Sequence, residues 1–241
     1  MAEPKHIKSN IFNSTCQTLV NTVNCDGVMG RGIALEFKLR FPGLFDKYKK
    51  VCEQKKLVPG KLYIWRGEEK WVLNFPTKNH WKFPSKMEYI KSGLASFQRN
   101  YEEKKISSIA FPILGSSAGG LNEEDVIDVM TKYFEPLKNI DIEIYHFDPY
   151  ASDNLFDKLY QKVYRFDLDD YINHIGIKKA QAKKLREAIS SGELTTMLGI
   201  QRLTGFGEKS ITKLYDFINN DGKTIRTNSE IQLGLDLKSK K

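Results

Sequence analysis

Cysteine is scarce in this chain of 241 residues, and the three present, Cys16, Cys25 and Cys52, show no CxxC spacing. An odd number without that spacing argues against a disulfide framework or a cysteine-based zinc site, and it fits a reducing compartment. Also missing are a secretory N-terminal pattern and any apolar stretch long enough to span a bilayer. A soluble cytoplasmic protein is therefore expected, and with no convincing ligand cluster, no metal. Charge of one sign is not dominant either: 30 acidic residues are mixed among 38 basic ones, leaving a net charge of +8. That surplus favours a polyanionic partner, although a solvated surface accounts for much of it. What is present is ample apolar material, 40% of residues, enough for one large domain and a small one.

The most informative stretch runs from Leu19 to Phe37, LVNTVNCDGVMGRGIALEF. A strand-like start leads to Asn24, a small-residue loop spans Gly27 to Gly32, and Ile33 opens a helix. Glycines let bare backbone N–H groups approach a ligand, and the helix head adds partial positive charge. The arrangement suits a phosphate; taken alone it could equally be a tight strand-to-helix turn.

Around it, strand and helix signals alternate. Thr18–Val23 reads as a strand, Ile33–Leu39 and Leu44–Glu53 as helices, and Lys61–Trp65 and Lys70–Asn74 as short strands. Lys86–Arg99 has helical spacing, and Ile106–Ile113 is a buried-type strand ending in a second small-residue loop, Gly115 to Gly120. Glu123–Leu137 is a further helix and Ile140–Phe147 a last strand. The pattern predicts an α/β domain with a mixed central sheet over residues 1–150. Residues 151–220 carry helical periodicity alone and predict a small all-α domain. Within it, the stretch from His174 to Ile189 aligns without gaps to Leu203–Ile218, matching Gly176 to Gly205 and Leu185 to Leu214. Residues 221–241 read as a basic tail.

Three motifs in order carry a family resemblance: Asn21-Thr-Val-Asn-Cys-Asp-Gly-Val-Met-Gly-Arg-Gly-Ile-Ala34, Asn74-Phe-Pro-Thr-Lys-Asn-His-Trp81 and Phe111-Pro-Ile-Leu-Gly-Ser-Ser-Ala-Gly-Gly-Leu121. Over roughly residues 5–150 the chain resembles a three-layer macrodomain, of the branch holding the DarG-like DNA ADP-ribosyl glycohydrolases and the terminal ADP-ribose glycohydrolase. The resemblance implies an ADP-ribose cleft at the C-terminal strand ends. Carried over by motif, its lining is Asn10, Ile11, Asn21, Gly27, Val28, Met29, Gly30, Gly32, Thr77, Leu114, Gly115, Ser116, Ser117, Ala118, Gly119, Gly120 and Phe147. Asn122 is expected to cap the helix after the second loop. No cofactor is implied beyond ADP-ribose itself as ligand and product.

The chemistry is expected from Lys78, which follows an apolar strand by a Pro-Thr turn and would project into that cleft. In the resembling hydrolases the matching lysine acts at the anomeric carbon of the distal ribose, either as a nucleophile or by electrostatic stabilisation. Asn24 is expected beside that ribose, unless it only caps the turn. His80 could move protons, or with Trp81 and Phe83 stack on a nucleobase. Two departures stand out: Gly115-Ser116-Ser117-Ala118 replaces the branch's usual Gly-Cys-Gly run, and Asn10 stands where many macrodomains have an aspartate that reads adenine.

In the helical part, Gly205-Phe206-Gly207 before Glu-Lys-Ser-Ile-Thr-Lys-Leu resembles a helix-hairpin-helix motif, with a degraded copy around Gly176. Such hairpins bind DNA phosphates without reading sequence. The expected contacts are Lys178, Lys179, Lys183, Gly205, Gly207 and Lys209; the bland alternative is a helix–helix turn with solvated lysines. The combined expectation is a monomeric hydrolase that removes ADP-ribose from modified, single-stranded DNA, as an antitoxin to an ADP-ribosyltransferase or in repair. The rivals are a DNA-tethered ADP-ribose reader without activity and a hydrolase acting on protein-linked ADP-ribose.

Overall fold

The computed structural model describes residues 3–148 and 150–219, so the basic tail at 221–241 lies outside the described residues. Strands β1 (Lys5–Ser9), β2 (Thr18–Val23), β3 (Tyr63–Arg66), β4 (Trp71–Pro76), β5 (Ser108–Pro112) and β6 (Asp141–Phe147) form one sheet in the order β1-β6-β5-β2-β4-β3. All neighbours run parallel except β3, which returns antiparallel along β4. The first strand has no counterpart among the sequence expectations. It is an edge strand whose residues are exposed apart from partly buried Ile7 and Ser9, so no apolar run announces it.

Side chains alternate across the sheet and divide it into two packed faces. On one face, Val20, Leu73, Phe111 and Ile144 meet Ile90, Leu94 and Phe97 of α3 (Met87–Asn100) and Val126, Met130 and Phe134 of α4 (Glu123–Phe134). On the other, Leu19, Val72, Ala110 and Tyr145 meet Phe37 of α1 (Gly32–Arg40) and Leu44 of α2 (Leu44–Glu53). The result is a three-layer α/β/α arrangement.

The remaining chain is helical: α5 (Asn154–Val163), the short α6 (Leu168–Asp170) running into a π-helical turn at Tyr171–Ile175, α7 (Lys179–Ser190), α8 (Met197–Arg202) and α9 (Glu208–Asn219). Their core joins Phe156, Leu159, Leu185, Ile211 and Leu214 to Leu35 of α1, so α1 is buried on both flanks. The two repeat copies exchange equivalent contacts. Gly176 and Gly205 both take positive φ, Lys184 Nζ donates to the Thr204 carbonyl, and its repeat mate Lys213 donates to the Gly176 carbonyl. Each copy thus braces the other's hairpin.

A buried charge network joins the helical unit to the sheet layers. Arg40 donates from Nη2 to both oxygens of Asp153 at 2.8 Å and from Nε to Glu36 at 3.1 Å. Asp153 also accepts from the backbone N–H groups of Leu155 and Met197, the first residues of α5 and α8 to need a partner. Burial, only partly offset by Arg40 and reinforced by Asp153, pushes the Glu36 carboxyl up to about 7. A carboxyl raised above its unfolded value holds an extra proton in the fold between those two values. Its contribution to stability is therefore full below the unfolded value of 4.5 and is lost as pH rises through 7. Urea unfolding should show stability falling across that window by at most about 1.4 kcal/mol per pH unit, and Glu36→Gln should flatten the decline. Equal slopes for parent and variant would remove Glu36 as its origin.

Candidate functional site

The parallel strands end on one side of the sheet, and the expected site residues follow those ends: Asn10 after β1, Asn24 after β2, Thr77 and Lys78 after β4, the second loop after β5 and Phe147 at the end of β6. A crevice outside strand C-termini is where open α/β sheets receive ligands.

Asn24 organises the first loop. Its Oδ1 accepts from the N–H groups of Asp26 and Val28 and from the Tyr48 hydroxyl, and its Nδ2 donates to the Val28 carbonyl at 2.7 Å. One amide hydrogen is left over, so Asn24 shapes the loop and still has a donor for the ribose expected beside it. Gly27, at φ +79°, backs onto α2 with its Cα facing Lys49 and Cys52, so the loop hugs that helix. The loop ends at the head of α1, which has no side-chain cap and no acidic residue in its first turn. Such a helix head leaves backbone N–H groups and partial positive charge for an anion. The head of α4, after the second loop, is a poorer anion site. Asn122 caps it as expected, and Glu123, Glu124 and Asp125 already occupy its first turn.

Lys78 lies between the two loops. Its backbone N–H donates to the Val23 carbonyl, its carbonyl receives the Cys25 thiol, and its Nζ donates to the Ala118 carbonyl at 2.6 Å. Partial burial and the nearby Arg31 guanidinium hold its amine below the usual lysine range. The second loop is fixed from behind. Ser85 N–H donates to the Gly119 carbonyl, and a Cβ on Gly119 would stand 2.2 Å from both the Gly115 carbonyl oxygen and Ser85 Oγ. Ser116 and Ser117 stand where the branch has Gly-Cys-Gly, and the Ser116 hydroxyl is turned back to the Ile113 carbonyl. Cys25 offers no thiolate here, because burial pushes it up to about 12.

His80 belongs to a strap beside the first loop. Asp26 accepts from the Trp81 N–H at 2.7 Å and lies 3.8 Å from His80 Nδ1, which itself accepts from the Lys82 N–H. Trp81 and Phe83 are among the most exposed apolar side chains, with the His80 ring against both. At the opposite end of the crevice, Asn10 caps a 3-10 turn through the Phe12 N–H, and with Ile11 and Phe147 it borders an apolar recess.

Comparison with known proteins bears on the fold that carries these residues. A Macro domain profile matches residues 20–130, the span that holds Lys78 and both loops. Curated proteins named DNA ADP-ribosyl glycohydrolase match from Mycobacterium tuberculosis, 42% identical over 140 residues, and Thermus aquaticus, 37% over 145 residues. These alignments take in 56% and 58% of this chain but 40% of each relative, so the chain spans about two fifths of their length. Among solved structures, the macrodomain of Mycobacterium tuberculosis DarG aligns at 40% identity and a TM-score of 0.58, covering 60% of this chain and 98% of that one. The chain belongs to the macrodomain family. The macrodomain of Thermus aquaticus DarG aligns similarly, at 34% identity and a TM-score of 0.58, with 61% and 99% covered.

Within this macrodomain, several expected lining residues turn inward. Asn21 is fully buried in β2, where its amide donates to Asn74 Oδ1 on β4, its register partner. It supports the loop from below instead of touching a ligand. The Met29 side chain is packed with Tyr48 and Cys52, and Thr77 and Leu114 are buried too, so these three can reach the crevice only through backbone. Val28, Gly30, Gly32, Ser117, Ala118 and Gly120 remain at least partly open.

In the helical unit, Lys178, Lys179, Lys183, Gly205, Gly207 and Lys209 are all exposed. Lys183 spends part of its charge on Glu187, 3.9 Å away. Phe206 is buried and anchors the hairpin. Sequence reasoning missed that α9 lies beside the first loop: Glu208 pairs with Lys38 of α1 at 2.5 Å, and a Cβ on Gly30 would stand 3.4 Å from its Oε2. It also missed Arg31, Asp26, Tyr48 and Ser85, which act on the site through space. No spacing rule would have found them.

Proposed function

We propose that this macrodomain is a hydrolase that removes ADP-ribose from a nucleobase in DNA. The observation that carries the reading is Lys78, held between two glycine loops at the end of β4 with its amine pKa lowered. A lowered pKa raises the fraction of neutral amine, the form a nucleophile needs. In the proposed step, the Nζ lone pair bonds to the anomeric carbon of the distal ribose. The bond from that carbon to the base breaks, and its electron pair leaves on the base nitrogen, which takes up a proton. The adduct nitrogen sheds one proton; water then bonds to the anomeric carbon, a proton passes to Nζ as the carbon–nitrogen bond breaks, and ADP-ribose and the free lysine amine result. The head of α1 and the loop N–H groups receive the diphosphate.

DNA as the carrier is supported by the relatives' names and by two surfaces flanking the crevice. One is the Trp81–Phe83 strap, whose faces suit unstacked bases in a single strand. The other is the exposed hairpin at Gly205–Gly207, where the first N–H groups of α9 and Lys209 suit phosphates. A fusion protein from Thermosipho africanus, 35% identical over 158 residues, is named for both a DNA ADP-ribosyl transferase and a DNA ADP-ribosyl glycohydrolase. We infer a partnership with such a transferase, working as an antitoxin on a cytoplasmic substrate and as a monomer.

The test offers purified protein ADP-ribosylated single-stranded DNA beside ADP-ribosylated protein. Release from DNA alone supports the reading; release from protein alone transfers the activity to that substrate. Tight ADP-ribose binding with neither release would make the chain a reader. DNA affinity of the full chain should fall steeply with salt and drop several-fold in Gly205→Val, because the residue sits at φ +94° where a branched side chain is strained. Affinity indifferent to both would leave the hairpin as a helix–helix turn.

A further inference from the structure

The strand order sets out the crevice along a line. Lys78 follows β4, Asn24 follows β2, the second glycine loop follows β5, and Phe147 and Asn10 stand at the ends of β6 and β1. With strands about 4.8 Å apart, the β4 and β1 ends are separated by roughly 19 Å. ADP-ribose is elongated, with its diphosphate between the reactive ribose and the adenosine. A reactive ribose at Lys78 and a diphosphate at the two loops put the purine beyond β5, at the ends of β6 and β1.

The recess lies there. It is a shallow, mostly apolar recess that is open to solvent at its mouth. Ile11, Pro112 and Phe147 line the sheet side. Ile33 and Glu36 of α1 also line it. Further lining comes from outside the sheet layers: Leu198 and Thr196, at the head of α8, border the recess, and at the other end of α8 the Arg202 guanidinium lies over the Phe147 ring, 4.3 Å from its centroid. This wall belongs to the helical unit, since Met197 and Ile200 of α8 are packed in that unit's core. Its position is fixed: the Met197 N–H donates to buried Asp153, which Arg40 ties to α1, and Thr196 caps α8 through the Gly199 N–H.

We propose that α8 completes the purine subsite, with Leu198 as an apolar wall and Arg202 holding the Phe147 ring as a stacking surface. This rests on the ADP-ribose reading. The helical unit is then a part of the nucleotide site, and nucleotide occupancy is coupled to the same unit that carries the DNA-facing hairpin. A guanidinium over an aromatic face is favourable, and a side chain held in one rotamer loses less entropy when a base stacks on it.

The experiment measures binding of ADP-ribose, AMP and base-free ribose 5-phosphate by the full chain, its Leu198→Trp variant, which fills the recess, and Arg202→Ala. Thermal unfolding is followed in parallel. Leu198→Trp is expected to weaken ADP-ribose and AMP at least tenfold, and Arg202→Ala several-fold, with ribose 5-phosphate affinity unchanged. Arg202 is exposed, so its variant keeps the test decisive if Leu198→Trp fails to fold. Parent-like affinity for ADP-ribose in the folded variants would overturn the proposal while leaving the ADP-ribose reading intact. An equal loss for ribose 5-phosphate would overturn it as general damage. A parent that binds no ADP-ribose would overturn both.

Discussion

Lys78→Ala should slow ADP-ribose release from modified DNA by on the order of 100-fold or more, with ADP-ribose affinity changed far less. The asymmetry follows from where the lysine sits. In the free protein its Nζ is satisfied by the Ala118 carbonyl, a contact that steadies the second loop but makes no use of the amine's nucleophilicity. The backbone donors that would hold the diphosphate belong to the loops and to the head of α1, and they survive the substitution. Lys78→Arg separates the two roles a cation could have. It keeps a positive charge beside Arg31 but removes the nucleophile, so the proposed step predicts a variant as slow as Lys78→Ala. Substantial activity in Lys78→Arg would assign the lysine to electrostatic stabilisation. Parent-like activity in Lys78→Ala would remove it from the chemistry.

Asp153→Ala should destabilise the protein by about 3–5 kcal/mol, the usual effect of breaking one side of a buried ion pair. Asp153 has no exposed surface, and its loss leaves the buried Arg40 guanidinium without two hydrogen bonds. The N–H groups of Leu155 and Met197 lose their acceptor as well, so α5 loses its cap while α8 keeps only the Thr196 cap. Denaturant unfolding followed by far-ultraviolet circular dichroism reads the effect. The contrast is Lys38→Ala, which breaks the more exposed Lys38–Glu208 pair and should change stability by less than about 1 kcal/mol. A change under 1 kcal/mol for Asp153→Ala would mean that the network does not fasten the helical unit.

How much was legible beforehand differs between the two faces of the problem. Local periodicity located β2, α2 and α3 to within a residue, and β4 and α4 to within two or three at their C-terminal ends, because each presents an apolar stripe or run to a packed face. It missed β1, since an edge strand paired on one side needs little apolar content. The motifs brought Asn24, Lys78 and the second loop together correctly, because each sits just after a strand and parallel strands end on one side. They were less informative about which way side chains point. Asn21, Met29, Thr77 and Leu114 lie in the right motifs, yet alternation and loop curvature turn them into the interior.

Sequence alone was enough for the chain's macrodomain architecture and for the strand ends at which the candidate site residues lie, since both follow from residue periodicity and from short motifs read in order. It also exposed the repeat that brackets the two hairpins. Only the tertiary structure decided that Arg31 stands beside Lys78, that Asn24 is occupied in holding its loop, and that α8 walls the recess beyond Phe147. The first and third depend on contacts between residues far apart in the chain, and the second on side-chain directions that Tyr48 helps to fix. Such contacts are set by how α1 is packed on both flanks and by the Glu36–Arg40–Asp153 network that fixes its second neighbour.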